Sequence, residues 1–176
     1  NPNGDPFTVK DNLNKEEVEL LGLGLGLYWG EGTKANKDSI RLGNTDPALI
    51  SNFIKFLENI YGVKKSDMKF GIQVFSDMSP DSVLNFWMKR LKAQENQFQK
   101  VIITPSRGAG TYKRKIKHGV LTIYYNNKKL RKIIGQDLEK YGLQKHLIKM
   151  KETDRARINQ VANYSWFKDN KDWCNG

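Results

Sequence analysis

The sequence predicts an α+β protein with a mostly antiparallel sheet, and three observations carry that prediction. Apolar residues recur at helical spacing in several segments that open on clear caps. Short runs alternate apolar and polar residues as half-buried strands do. The connections between them lack the regular strand–helix–strand rhythm of a parallel sheet. At 176 residues the chain can bury one sizeable core, and its 11% of aromatic residues favour a folded chain over a disordered one.

Asn14-Lys15-Glu16-Glu17 resembles a capping box with Asn in the Ser/Thr position, so a first helix is expected from there to about Gly32. Ser39 to Thr45 alternates as a short strand. Asp46-Pro47 supplies an N-cap and a proline at the first helical position. The helix that follows carries Ile50, Phe53, Ile54, Leu57 and Tyr61 on one face and stops at Gly62. Met68 to Ser76 reads as a strand with Phe70, Ile72 and Val74 on one face and Lys69, Gly71, Gln73 and Phe75 on the other. Ser79-Pro80 caps a helix bearing Val83, Phe86, Trp87 and Leu91. Val101 to Thr104 and Gly119 to Tyr125 read as two strands joined by a long, hairpin-like connection. Asn127 then caps a helix that runs to about Tyr141, where Gly142 ends it. The organisation expected is an N-terminal arm (1–13), a main domain (14–142) and a basic, charged C-terminal extension (143–176), with no internal repeat.

Composition excludes several chemistries. Cys174 is the only cysteine and His118 and His146 the only histidines, so a disulfide framework, a Cys/His zinc site and a His-metal nuclease site are poorly supported. A metal here would take oxygen ligands, which suits Mg²⁺ or Mn²⁺. The longest apolar run, Leu20 to Gly30, is too short to span a bilayer. The first residues have neither the basic start nor the apolar core of a signal peptide, so a cytoplasmic protein is expected, nucleoid-associated or, in a eukaryote, organellar. Charge is unevenly placed: residues 1–62 hold six Lys/Arg against nine Asp/Glu, and residues 63–176 hold 24 against ten. So basic a C-terminal two-thirds points to a polyanion, with nucleic acid ahead of membrane.

The first helix poses the sharpest question. Leu20-Leu21-Gly22-Leu23-Gly24-Leu25-Gly26-Leu27-Tyr28-Trp29-Gly30-Glu31-Gly32 has leucines that ask for burial and glycines that each cost about 1 kcal/mol relative to Ala inside a helix. Gly22, Gly26 and Gly30 are spaced by four and stack on one face, which lets a second helix approach backbone to backbone. The intervening leucines and Tyr28/Trp29 are then expected to point into the domain's own core. A dinucleotide loop fails, because Leu27 and Trp29 stand where the third glycine of GxGxxG would be and no strand precedes the run. A buried glycine-rich helix without function is the competing account of the glycines alone.

The terminal residues carry a resemblance. Gly26-Leu27-Tyr28-Trp29-Gly30-Glu31-Gly32 resembles the end of the motif that names the LAGLIDADG homing endonuclease family. Gly26 and Leu27 match its third and fourth letters, Gly30 its small residue, Glu31 its last acid and Gly32 its final glycine. Gly24 and Leu25 depart from the opening Leu-Ala, and Trp29 stands where an acid is often found. Ser39 to Asp46 followed by a helix, and Val120 to Leu130, are similar to that family's second strand entering its second helix and its last strand entering its last helix. The resemblance spans about residues 14–142.

That resemblance implies a saddle-shaped sheet with helices on one face, and dimerisation through the Gly22/Gly26/Gly30 face of the first helix. It also implies a divalent metal held at Glu31, with Gly30 beside it, where two such helix ends meet. A chain with one motif would act as a homodimer. The chemistry agrees, since two carboxylates brought together by a symmetry axis can hold metals that activate water. The DNA contacts expected on the sheet are Arg41, Lys69, Gln73, Thr122 and Tyr124, with Lys34 beside the acid. Lys100 to His118 carries six Lys/Arg and no acid, which makes Lys100, Arg107, Lys113, Arg114, Lys115 and Lys117 candidates for phosphate contacts. The expected function is a homodimeric, Mg²⁺-dependent hydrolase cutting duplex DNA at a long, near-palindromic site. A non-cleaving DNA-binding regulator on the same fold and an intron RNA maturase are the alternatives; the absence of room for a helix-turn-helix before Asn14 favours the nuclease.

Overall fold

The structure, a computed structural model, describes residues 4–105 and 117–141. The chain divides into two compact units, Asn1–Ile134 and Gly135–Gly176. The first holds helices α1 (Lys15–Glu31), α2 (Pro47–Tyr61) and α3 (Pro80–Leu91), and strands β1 (Ile40–Asn44), β2 (Lys69–Phe75), β3 (Ile102–Thr104) and β4 (Val120–Tyr125). Helix α4 (Lys128–Lys140) begins in that unit. Single 3-10 turns at Lys65–Asp67 and Glu95–Gln97 complete the described elements.

The caps explain where the helices start. Asn14 and Glu17 form the expected box, the Asn14 side chain accepting from the Glu17 N–H at 2.9 Å while the Glu17 carboxylate accepts from the Asn14 N–H at 3.1 Å. Lys10 pairs with the same carboxylate, and this hydrogen bond, followed by the one from Asn14, holds Glu17 below the usual carboxylate range. Asp46 and Ser79 cap α2 and α3, each with proline directly after. Helix α2 ends on Gly62 at φ 58°, where a Cβ would also lie 3.1 Å from the Thr8 backbone. That approach belongs to the N-terminal arm, which is tied to the end of α2: Thr8 and Lys10 donate to the carbonyls of Tyr61 and Ile60, and Phe7 is buried.

The four strands run in the order β1-β4-β2-β3. β4 pairs antiparallel with both β1 and β2, while β2 and β3 are parallel, so the sheet is mixed. The expected β3–β4 hairpin is therefore corrected: β3 sits against β2, and β4 lies on the other side of β2. Burial alternates along every central strand. Ile40, Leu42, Phe70, Ile72, Val74, Leu121, Ile123 and Tyr125 face the core, under α2, which touches β1, and α3, which touches β2. Among the described residues the other face of the sheet is open, its side chains exposed or half-buried.

One expectation about α1 is overturned. Leu25 and Tyr28 are buried, but Leu23 and Trp29 are 46% and 45% exposed. Trp29 follows Gly22 by seven residues, almost two full turns, so it shares the outward face instead of joining Tyr28 in the core. The glycine that serves packing inside the unit is Gly24, where a Cβ would stand 2.1 Å from the Phe56 ring of α2. Phe56 continues an aromatic chain, with Tyr28 stacked on Phe53 at 5.8 Å, Phe53 against Phe56 at 5.5 Å and Phe56 edge-on to Tyr61 at 5.2 Å.

Candidate functional site

Glu31 is the last residue of α1 and is exposed. The chain is held tightly behind it. Gly32 is buried, donates its N–H to the Tyr28 carbonyl and bridges to Leu42 of β1. A Cβ at Gly32 would lie 2.4 Å from both the Tyr28 ring and its carbonyl oxygen. The glycine after the acid is thus a steric requirement that lets α1 end directly against the sheet. Thr33 continues the anchoring, donating to the Arg41 carbonyl at 2.9 Å. The acid is exposed, and the backbone that follows it is tied to β1.

One cation stands beside it, and a second lies against the last turn of α1. Lys34, three residues on, is half-buried; burial chiefly pulls its ammonium below the ordinary value of 10.5, the Glu31 carboxylate opposes this, and Arg131 adds to it. Arg131, from the first turn of α4, is only 9% exposed. Its guanidinium lies 5.4 Å over the Tyr28 ring and its Nη2 donates to the Lys34 carbonyl at 3.4 Å. Its Nε is buried with no hydrogen-bond partner among the described residues. The last turn of α1 has no basic residue of its own, so Arg131 supplies a cation at the negative end of that helix. Burial raises the Tyr28 hydroxyl pKa, with Arg131 opposing. Sequence reasoning missed Arg131; the signal was an arginine between Leu130 and Ile134, on the apolar stripe of its helix.

The sign of the Lys34 shift yields a prediction. Because the folded value lies below the unfolded one, the stabilisation linked to Lys34 is present above about pH 10.5 and lost as pH falls through the folded value. Glu31→Gln removes the charge that favours the ammonium, so Lys34 is expected to titrate lower still in that variant. An NMR titration of the Lys34 side chain reads this directly, and an unchanged or raised midpoint would show that the two groups do not face each other.

The five sheet candidates lie on the open face. Register aligns Arg41, Tyr124 and Lys69 in one row across β1, β4 and β2. The next row is Gly43, Thr122 and Gly71, and the third places Gln73 beside Val120 and Ile102. The side chains are fixed by one another. Arg41 lies 5.4 Å over the Tyr124 ring and donates from Nε to the Ser39 hydroxyl at 2.7 Å. Gln73 donates to the Thr104 hydroxyl at 2.8 Å, and Lys69 to the Asn96 carbonyl at 3.1 Å. The two glycines of the middle row make room for their neighbours: a Cβ at Gly71 would be 2.9 Å from the Tyr124 ring, and one at Gly43 2.9 Å from the Thr122 hydroxyl. Thr104 joins this face unpredicted, through the parallel pairing of β3 that the sequence does not announce.

The other candidates divide. Lys100 and Lys117 are exposed, while Arg107, Lys113, Arg114 and Lys115 lie outside the described residues. Gly22, Gly26 and Gly30 are exposed, and a Cβ at any of them would meet nothing within 4 Å. Among the described residues no three His, Cys, Asp or Glu side chains gather as a metal site. The described residues therefore offer Glu31 as a single carboxylate, an oxygen donor of the kind a hard divalent cation takes. No described helix is long and apolar enough to cross a membrane. Comparison with protein-family models, curated proteins and solved structures gave no match to this chain.

Proposed function

We propose that the chain is a homodimeric, divalent-metal-dependent DNA endonuclease of the LAGLIDADG homing type. The observation that carries this reading is the outward face of α1. Val18, Leu23 and Trp29 are exposed there, Gly22, Gly26 and Gly30 leave the backbone bare between them, and the face ends at the exposed Glu31. Paired with itself about a two-fold axis, this face buries its apolar residues and brings two Glu31 carboxylates together. Mg²⁺ or Mn²⁺ held there would polarise the scissile phosphodiester and lower the pKa of an attacking water.

The chain's own residues supply the rest. Gly32 and its bridge to β1 fix the position of Glu31. Lys34 places a cation beside the acid, where charge builds on the reacting phosphate. Arg41, Lys69 and Gln73 present donors on the open sheet face, suited to phosphate oxygens and to the acceptors of guanine and adenine in the major groove. The same face would serve a non-cleaving regulator, so cutting decides between the two.

The test is incubation of the full chain with a randomised duplex library, with and without Mg²⁺, beside analytical sedimentation. The expected result is metal-dependent cleavage at sites with two-fold related halves, by a dimer. Gly26→Leu should leave a folded monomer that does not cut, because its Cβ meets nothing in its own unit while the side chain props the helices apart. Duplex binding with no cutting in any divalent metal would replace the nuclease by the regulator, and preference for structured RNA would replace it by the maturase. A Gly26→Leu dimer would refute the interface.

A further inference from the structure

Where Lys69 begins β2, the surface opens into a cleft of about 390 Å³. Lys65, Lys69 and Lys92 line it, together with Ser66, Gln94, Asn96 and Gln97. Its walls are built, not incidental. The buried Gln97 amide donates to the carbonyls of Lys65 and Met68, at 2.8 and 3.3 Å, and its oxygen accepts from the Gln94 N–H at 3.0 Å. One side chain thus ties the turn at Lys65–Asp67 to the segment after α3. Behind it, Phe98 packs on Phe70 at 5.2 Å and bridges to that strand.

Charge and backbone both mark the cleft. The nearest acids in sequence, Asp67 and Glu95, do not line it, and Asp67 accepts from the Ser66 hydroxyl at 3.1 Å. Lys65 and Lys92 have no ion pair among the described residues. Lys92 is the one described non-glycine residue at positive φ, 48°. It ends α3 with its N–H on the Lys89 carbonyl, while Ala93 donates to the Met88 carbonyl at 3.1 Å. That is the helix-ending position that glycine ordinarily fills without strain. A lysine there holds a cation over the cleft in a backbone conformation that disfavours it.

We propose that this cleft seats a phosphate group of the duplex backbone, at the Lys69 end of the Arg41–Tyr124–Lys69 row. The inference rests on the DNA reading of that face and extends it beyond Lys69. Lys69 belongs to both, and Lys65 and Lys92 carry the positive track outward from it. The contact is one of position and affinity, not of sequence, since it meets only phosphate oxygens.

The experiment uses the full chain and measures duplex affinity against salt for wild type, Lys65→Gln and Lys92→Gly. Each replacement is expected to flatten the slope of log K against log salt by about 0.9, one released counterion, without changing which duplexes are preferred. Lys92→Gly also separates folding from binding: it should melt no lower than wild type, because glycine relieves the positive φ, and still bind more weakly. In a separate arm, inorganic phosphate should shift the amide signals of Ser66, Lys92 and Ala93 in wild type and leave them unmoved in Lys92→Gly. Unchanged slopes in both variants, with wild type binding duplex, would overturn the cleft while leaving the DNA reading intact. Phosphate shifts with no duplex binding by wild type would assign the cleft to a free phosphate ligand and overturn its duplex role. Slopes that flatten on RNA and not on DNA would do the same.

Discussion

Glu31→Gln is expected to lower metal-dependent cutting by roughly 10³-fold or more and to leave duplex affinity within about twofold of wild type. The structure makes this a clean test. Glu31 is exposed and makes no hydrogen bond or ion pair among the described residues, so the amide replaces nothing that holds the fold. A surface substitution of this kind shifts stability by only about 0.5 kcal/mol. In a symmetric dimer one gene change removes both carboxylates, and no other acid in the described part of the chain joins Glu31 in a cluster that could substitute. Glu31→Asp provides the graded control: the ligand is retained on an arm one methylene shorter, so activity should fall less than in Glu31→Gln. The measurement is single-turnover cleavage of a selected duplex beside a binding titration in Ca²⁺. Full cutting by the Gln variant would remove Glu31 from the mechanism. Loss of binding in step with cutting would make it a binding residue instead.

Much of the arrangement behind that expectation was legible because it is local. Caps such as Asn14, Asp46 and Ser79 are read from a few neighbouring residues, and each opens a helix where its hydrogen bonds predict. The open face of β2 was readable because Phe70, Ile72 and Val74 alternate strictly with polar and small residues. What escaped depends on distant partners. The parallel pairing of β3 with β2 is set by a crossover through α3, and it alone brings Thr104 to Gln73. Arg131 reaches Tyr28 and Lys34 across about a hundred residues, and nothing near it in sequence names those partners. The glycine helix was half legible. Spacing by four identified an outward face, but which glycine meets a neighbour within the unit depends on how α1 crosses α2, and that turned on Phe56.

That crossing gives the largest stability effect expected. Gly24→Ala should destabilise the unit by about 2 kcal/mol or more, the balance of an overpacking cost and a helix-propensity gain of about 1 kcal/mol. The new Cβ would fall 2.1 Å from Cγ, 2.2 Å from Cδ2 and 2.7 Å from Cβ of Phe56. Rotating the ring cannot clear it, because the Phe56 Cβ is fixed to the backbone of α2. The helices must separate, and the stacked chain of Tyr28, Phe53, Phe56 and Tyr61 must loosen with them. Thermal unfolding should register a drop of roughly 4–8 °C. Phe56→Ala in the Gly24→Ala background should show positive coupling, the second change costing less there than in wild type. Gly22→Ala and Gly26→Ala are the opposing controls. Their Cβ atoms meet nothing within 4 Å, so each should stabilise the isolated monomer by about 1 kcal/mol. Gly24→Ala as stable as wild type would refute the close crossing of α1 and α2. Opposite signs two residues apart on one helix would show that its glycines serve two surfaces, one filled by Phe56 and one open for a partner.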